Sequence, residues 1–394
     1  MKAAKRLWAA ALAFVLLAGC GKPTAGTAPA ASAAPENQEQ PVTGLLTAWD
    51  GRRYYTKANV ICDSADMTAR DLVLQMDGQR MLSGYPVTDG KFLYYSTETI
   101  LEAPEHRTQI WRSGLDGSEP VLLWQSEAET GISPVSASLN GWSDNIGRLV
   151  VFAWQDAVWF FIGQEGWIDS PQVLRCGNGE TEARPVEYPE PLAQGTFAGE
   201  MDDQPVFQSF EEERCVYWQL DLATGTVREL ADFPEPVHSN LLVQDGILYL
   251  QDDESWELCA VDLASGERQV LWRPEEPDQG LGLQYVWDDH AFLMSVERPL
   301  RYYSLDLNDG STQVMTLRGK WESDGREFVV YAKAPLEDSY VVVCRRNEFI
   351  GIGMSQAGEP ERSKETREYY ALIKKEDFWN SVPEYRYFTW VDGR

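Results

Sequence analysis

Tyr217-Trp218-Gln219-Leu220-Asp221-Leu222-Ala223-Thr224-Gly225, Leu258-Cys259-Ala260-Val261-Asp262-Leu263-Ala264-Ser265-Gly266 and Tyr303-Ser304-Leu305-Asp306-Leu307-Asn308-Asp309-Gly310 are three versions of one unit. Each runs from a strand-like stretch into Asp-Leu and closes on Gly. The chemistry is that of a hairpin. Asp hydrogen-bonds its own turn, and Gly takes the left-handed conformation that closes it. A strand-like run follows each copy, at residues 227–230, 269–272 and 313–317. Another short strand precedes, sometimes opened by Asp-Gly, as in Asp245-Gly246-Ile247-Leu248-Tyr249-Leu250 and Asp89-Gly90-Lys91-Phe92-Leu93-Tyr94-Tyr95.

Weaker closing turns stand at Asp77-Gly78, Asp116-Gly117, Asn178-Gly179 and Ala357-Gly358. The marker glycines fall at 78, 117, 179, 225, 266, 310 and 358, with gaps of 39, 62, 46, 41, 44 and 48. A period of about 40–50 residues is that of a four-stranded propeller blade. The expectation is an all-β protein, a β-propeller of about seven four-stranded blades, with six or eight as the neighbouring counts. The gap of 62 implies an insertion, at residues 133–147, or one further blade. Leu149-Val150-Val151-Phe152 and Val158-Trp159-Phe160-Phe161 are apolar on both faces. Such strands belong in sheets stacked between two others, whereas a two-sheet sandwich alternates polar and apolar. Helical periodicity is scarce. Only residues 363–375 read as a helix, and Tyr369-Tyr370-Ala371-Leu372-Ile373 within them reads equally as a strand. Residues 385–390 read as a last strand that completes a blade with the run near residues 45–55, closing the ring.

Val216-Tyr217-Trp218-Gln219-Leu220-Asp221 and the Asp-Leu-x-x-Gly turns resemble the bacterial and YWTD-type β-propellers. The resemblance loosely covers residues 45–375 and implies a fold, because propellers host enzymes, receptors and scaffolds alike. Trp-Asp pairs at Trp49-Asp50 and Trp287-Asp288 do not recur blade by blade, and the kelch glycine pair is missing.

At the other end of the sequence, Lys2, Lys5 and Arg6 precede an apolar run at residues 7–18. The run is too short for a spanning helix and has the layout of a signal peptide. Leu17-Ala18-Gly19-Cys20 resembles the lipobox of bacterial lipoproteins. The resemblance implies cleavage before Cys20 and acylation of that residue. The plainer readings are an ordinary signal peptide with a chance cysteine, or a core helix. Residues 21–42, GKPTAGTAPAASAAPENQEQPV, lack aromatic residues and any apolar side chain larger than Val. They read as a tether. The organisation is thus a signal peptide at 1–19, an anchored linker at 20–43 and a propeller at 44–394.

The chain of 394 residues carries 34 Lys and Arg against 62 Asp and Glu, a formal charge of −28. That balance argues against nucleic acid, which needs a basic footprint. It also argues against attraction to an anionic lipid surface, so attachment would rest on acyl chains. A monomer is expected.

Catalytic motifs are scarce. His106, His238 and His290 have no metal-ligand spacing. His290, in Asp288-Asp289-His290, is the only one beside paired carboxylates. Gly353-Met354-Ser355-Gln356-Ala357-Gly358 lacks the nucleophile-elbow spacing. No phosphate-binding or dinucleotide glycine pattern occurs. Asp202-Asp203, Asp252-Asp253 and Asp288-Asp289 read as turn carboxylates, and Asp306-x-Asn308-Asp309-Gly310 as a turn rather than a calcium loop. No catalytic residue, metal or cofactor is expected. Cys62, Cys176, Cys215, Cys259 and Cys344 cannot all pair. They read either as small core residues or as including a Cys62–Cys344 bond between first and last blades. Trp142, Trp167 and Trp379 lie in turn-like sequence and are expected to be exposed.

These features point to a lipoprotein on the extracytoplasmic face of a cell membrane. Its propeller would bind or scaffold an unidentified protein or glycan. The alternative is an extracellular glycan-active enzyme using carboxylates in a propeller-face pocket.

Overall fold

The repeat turns form as their chemistry dictates. The computed structural model describes residues 43–56, 58–74, 80–82, 85–99, 107–126, 149–162, 172–187, 196–211, 214–233, 239–252, 255–274, 280–295, 300–354 and 360–391. Asp221 Oδ1 accepts the N–H groups of Ala223 at 2.8 Å and Thr224 at 3.1 Å, and Gly225 N–H returns to Asp221 O at 2.8 Å. Asp262 does the same with Ala264, Ser265 and Gly266, and Asp306 with Asn308 and Gly310. The three glycines have φ of +67°, +71° and +74°. The leucine of each unit plugs a core between sheets: Leu222 and Leu263 are buried, and Leu307 packs against its cluster. Two of the three Asp pairs are turns too, and Asp253 of the third lies outside the described residues. Asp202-Asp203 and Asp288-Asp289 hold φ between +49° and +60° in two-residue hairpin loops.

Each turn closes an antiparallel meander. One sheet runs through Arg53–Tyr55, Val60–Asp63 and Thr68–Asp71. The next packs Arg80–Leu82 and Val87–Thr88 on Leu93–Thr99, then adds Thr108–Ser113 and Val121–Gln125. The third runs Leu149–Trp154, Ala157–Ile162, Gln172–Gly177 and Arg184–Pro185, with Gly44–Leu45 on its first edge. An eight-stranded sheet consists of two four-stranded meanders, from Thr196–Met201 to Thr226–Phe233 and from Ser239–Gln244 to Arg268–Trp272. Their first strands touch through a single parallel pairing, Gly199 to Val243. Leu281–Trp287, His290–Ser295, Tyr302–Asp306 and Thr312–Val314 follow as another meander. The last sheet is built on the long hairpin Ser339–Met354 and Pro360–Lys374.

Every neighbouring pair of sheets shares its own apolar core, and the cores form a cycle. Phe152, Phe161, Phe197 and Phe207 fill one interface, and Tyr217, Val243 and Leu248 the next. The cycle closes where Tyr54 and Cys62 of the first sheet meet Val341, Val343 and Tyr370 of the last. This is a β-propeller, and it buries strands on both faces because each sheet is the filling between two others.

The closure differs in detail from the expected last strand. Tyr385–Tyr387 pairs with Ala371, Leu372 and Ile373 of the last sheet. The chain then crosses at Phe388, and Thr389–Trp390 runs parallel to Thr68 and Ala69 of the first. One short segment thus serves two sheets. The helix-or-strand alternative at residues 363–375 resolves as strand through Lys374, followed at once by the helix Lys375–Trp379. The five described cysteines are buried and unbridged, so the Cys62–Cys344 bond does not form. Both thiols sit in apolar cores, as small core residues do. The segment at residues 133–147 and the turns at Asp77-Gly78 and Ala357-Gly358 lie outside the described residues. No helix among the described residues is long and apolar enough to cross a membrane.

Candidate functional site

The helix Lys375–Trp379 lies across the sheet of residues 281–314 and leaves a cleft of about 370 Å³ between them. Asp288 and His290 line it from one hairpin, Asp306 from the next turn, and Lys375, Glu376 and Trp379 from the helix. The left-handed turn at Asp288 and Asp289 aims His290 at the helix. There its ring stacks on the indole of Trp379, with centres 4.7 Å apart and planes 10° from parallel. His290 Nδ1 lies 2.8 Å from the carbonyl of Asp288. A carbonyl only accepts, so Nδ1 carries the proton. The other nitrogen, Nε2, faces Asp306 Oδ2 at 3.9 Å.

Asp288 is held on both oxygens. Lys375 Nζ donates to Oδ1 at 2.8 Å, and the Tyr340 hydroxyl donates to Oδ2. Trp379 Nε1–H donates in turn to the Tyr340 oxygen at 2.9 Å. Burial, reinforced by Asp288, pushes the Tyr340 phenol far up, so it remains a donor. Ser304 Oγ reaches Trp379 O, and Ser381 Oγ accepts the Thr316 N–H, which pins the segment beyond the helix. The cleft walls are thus fastened to each other by hydrogen bonds. Its lining sets three carboxylates against one ammonium and one imidazole. A positively charged or hydrogen-bond-donating group suits it.

A second polar cluster lies in the last sheet. Arg346 binds Glu368 at 2.7 Å, and the hydroxyls of Tyr331 and Tyr370 donate to the two Glu368 oxygens at 3.0 and 3.1 Å. Phe328, Tyr331 and Trp321 surround the guanidinium at 4.7–5.6 Å. Lys333 Nζ reaches the Tyr85 hydroxyl of another sheet at 3.3 Å. The cluster latches elements together and opens onto no described cavity.

Of the residues singled out from sequence, the fold unites His290, Asp288, Asp306 and Trp379. Trp379 is only 5% exposed, contrary to expectation, because His290 covers one face of its ring and Tyr340 packs edge-on. His106, His238, Trp142, Trp167 and Cys20 lie outside the described residues. Lys375 and Tyr340 were not foreseen. Nothing in their spacing announces that the C-terminal helix folds onto the sheet of residues 281–314. Among the described residues, no three His, Cys, Asp or Glu side chains gather to hold a metal. Burial pushes the Cys344 thiol up to about 11, and Cys62 further.

No family model matches the chain, and no curated protein matches it. Solved structures similar to it include an oligogalacturonate lyase in complex with manganese, at 15% identity and TM-score 0.44, with 65% of this chain and 71% of that one covered. The oligogalacturonate lyase of Vibrio parahaemolyticus shares 12% identity at TM-score 0.47, over 64% and 73%. TolB from Acinetobacter baumannii shares 10% at TM-score 0.32, over 75% and 79%.

Proposed function

We propose that this chain is an extracytoplasmic lipoprotein, anchored through Cys20, whose propeller binds a ligand in the cleft of His290 and Trp379 without turning it over. The observation that carries the binding reading is the state of Asp288. Both its oxygens are engaged, by Lys375 and Tyr340. A carboxylate so held shapes a site rather than shuttling protons. The acidity of the lining favours a ligand that presents an amine, a guanidinium or a cluster of N–H donors. The anchor reading rests on Lys2, Lys5, Arg6, the apolar run and Leu17-Ala18-Gly19-Cys20. The acidic chain supports partners other than nucleic acid.

The glycan-enzyme alternative draws on one observation: Asp288 and Asp306 share the cleft with a tryptophan. Against it, Trp379 is only 5% exposed and His290 is stacked on its ring, so no sugar ring can stack there.

Crosslinked capture from native membranes, read by mass spectrometry, tests the binding reading. A near-stoichiometric partner that is lost with D306N and E376Q supports it. Absence of such a partner, together with glycan turnover by the purified protein, overturns it in favour of the enzyme. The anchor is tested separately. C20A is expected to release the protein from the membrane fraction, and unchanged retention would refute the lipid attachment.

A further inference from the structure

Ser339–Met354 and Pro360–Lys374 are about twice as long as the other long strands of the fold, which reach eight residues. Their root is covered, because Ala371, Leu372 and Ile373 pair with the chain's C-terminal strand and Tyr370 O accepts Phe388 N–H. On the opposite edge the parallel pairing reaches Trp321 and Arg346. Beyond these points the described residues supply no further strand to either edge. The hairpin continues as a two-stranded ribbon, from Asn347 paired with Arg367 to Met354 paired with Pro360. Phe349 and Ile350 on the ribbon are 39% and 69% exposed. A lone two-stranded ribbon is marginal in water, and a free edge is a template for another strand.

The outer edge of the ribbon reads Lys364-Glu365-Thr366-Arg367-Glu368. Its charges change sign when the segment is reversed about Thr366. In an antiparallel pairing of two copies with Thr366 opposite Thr366, Glu365 stands opposite Arg367; Lys364 falls opposite Glu368, whose carboxylate is already engaged by Arg346, Tyr331 and Tyr370 of its own chain, so the register rests on Glu365 and Arg367. Symmetry makes each pair twice. A slip of one residue sets Lys364 opposite Arg367 in one direction and, in the other, parts Glu365 from Arg367. A slip of two sets Glu365 or Arg367 against its own copy. Like charges directly opposed destabilise a sheet and unlike charges stabilise it, so the segment selects one register. Arg367 is exposed, and among the described residues no carboxylate of its own chain pairs with it; it lies over Phe349 and Trp390 at 5.6 and 5.1 Å. The matching segment, Ser363 to Tyr369, ends where Phe388 takes over the edge at Tyr370.

We propose that the chain pairs with a second copy of itself along this edge, across a twofold axis at Thr366. Charges on an edge strand ordinarily keep other strands away. Here they admit one partner, a self-complementary one, as a twofold contact requires. The proposal is at odds with the monomer expected from the sequence, and the two are separable by experiment.

The test uses the full chain with C20S, so that the N-terminal thiol cannot crosslink. Sedimentation should show a monomer–dimer equilibrium that weakens as salt rises. T366C should form a disulfide-linked dimer, because opposed residues in an antiparallel pair lie within disulfide reach. K364C should not, since its copy lies about 13 Å away along the strand. R367E should weaken dimerisation roughly tenfold, and E365R/R367E should restore it, with circular dichroism confirming that both variants fold. A chain that sediments only as monomer overturns the proposal. So does crosslinking of K364C as readily as T366C, or failure of the charge swap to restore the dimer.

Discussion

The imidazole of His290 lies parallel to the indole of Trp379, 4.7 Å between ring centres, and joins a β-hairpin to a helix that follows it much later in the chain. The contact is the roof of a relay from Trp379 through Tyr340 to Asp288 and Lys375. Trp379 is nearly fully buried, so W379A should cost about 3–5 kcal/mol. Y340F removes one hydroxyl and leaves both the indole N–H and Asp288 short of a partner. It should cost about 1–3 kcal/mol. Guanidinium unfolding of the two variants measures both. Equal and negligible losses would mean that the helix is not fastened by this relay.

Gly199 is the point where two meanders touch. A Cβ there would sit 2.1 Å from the carbonyl oxygen of Val243, on a backbone with φ of +146°. Backbone cannot yield as a flexible side chain does. G199A should therefore destabilise by roughly 3 kcal/mol. Gly225 has open space around it, so G225A should suffer only the cost of its positive φ, about 1 kcal/mol. Comparison of denaturant midpoints separates close approach from conformational preference.

The repeat was legible because Asp, Leu and Gly each do a local job. The turn bonds at Asp221, Asp262 and Asp306 need only neighbours in sequence. Strands apolar on both faces announced stacked sheets for the same reason. The cleft was half legible: Asp288 and His290 stood out, but Tyr340 and Lys375 reach them only through long-range packing. Turn-like sequence around Trp379 does not reveal that His290 and Tyr340 pack over it. Cys62 and Cys344 do belong to the two sheets that meet at the ring closure, but each thiol is absorbed by a separate core.

Five buried, unbridged cysteines have a direct chemical signature. Iodoacetamide should label none of Cys62, Cys176, Cys215, Cys259 and Cys344 in the folded protein, and all of them after unfolding without reductant. Burial raises the thiol pKa wherever it is perturbed, as at Cys344 and Cys215, which further slows the reaction. Peptide mass spectrometry reads each site. A peptide that becomes labelled only after reduction would mean that a disulfide exists.

Two partly buried glutamates should respond to pH in opposite senses. Burial pushes the Glu200 carboxyl up, with Asp203 and Asp245 adding to it, although its Oε2 accepts the Leu45 N–H at 2.8 Å. Its contribution to stability is then complete in acid and is lost as pH rises through its folded value. Burial also pushes Glu368 up, but Lys333 and Arg346 outweigh it and hold that carboxyl below the usual range. Its contribution is present at neutral pH and is lost as pH falls. E200Q, whose amide oxygen can still accept from Leu45, should therefore be more stable than the parent at neutral pH, with the difference vanishing in acid. E368Q should be less stable at neutral pH, and its deficit should likewise close in acid. Urea midpoints across a pH series give both difference curves. They should approach zero from opposite sides; two curves of the same sign would show that one of the two charge environments is misassigned.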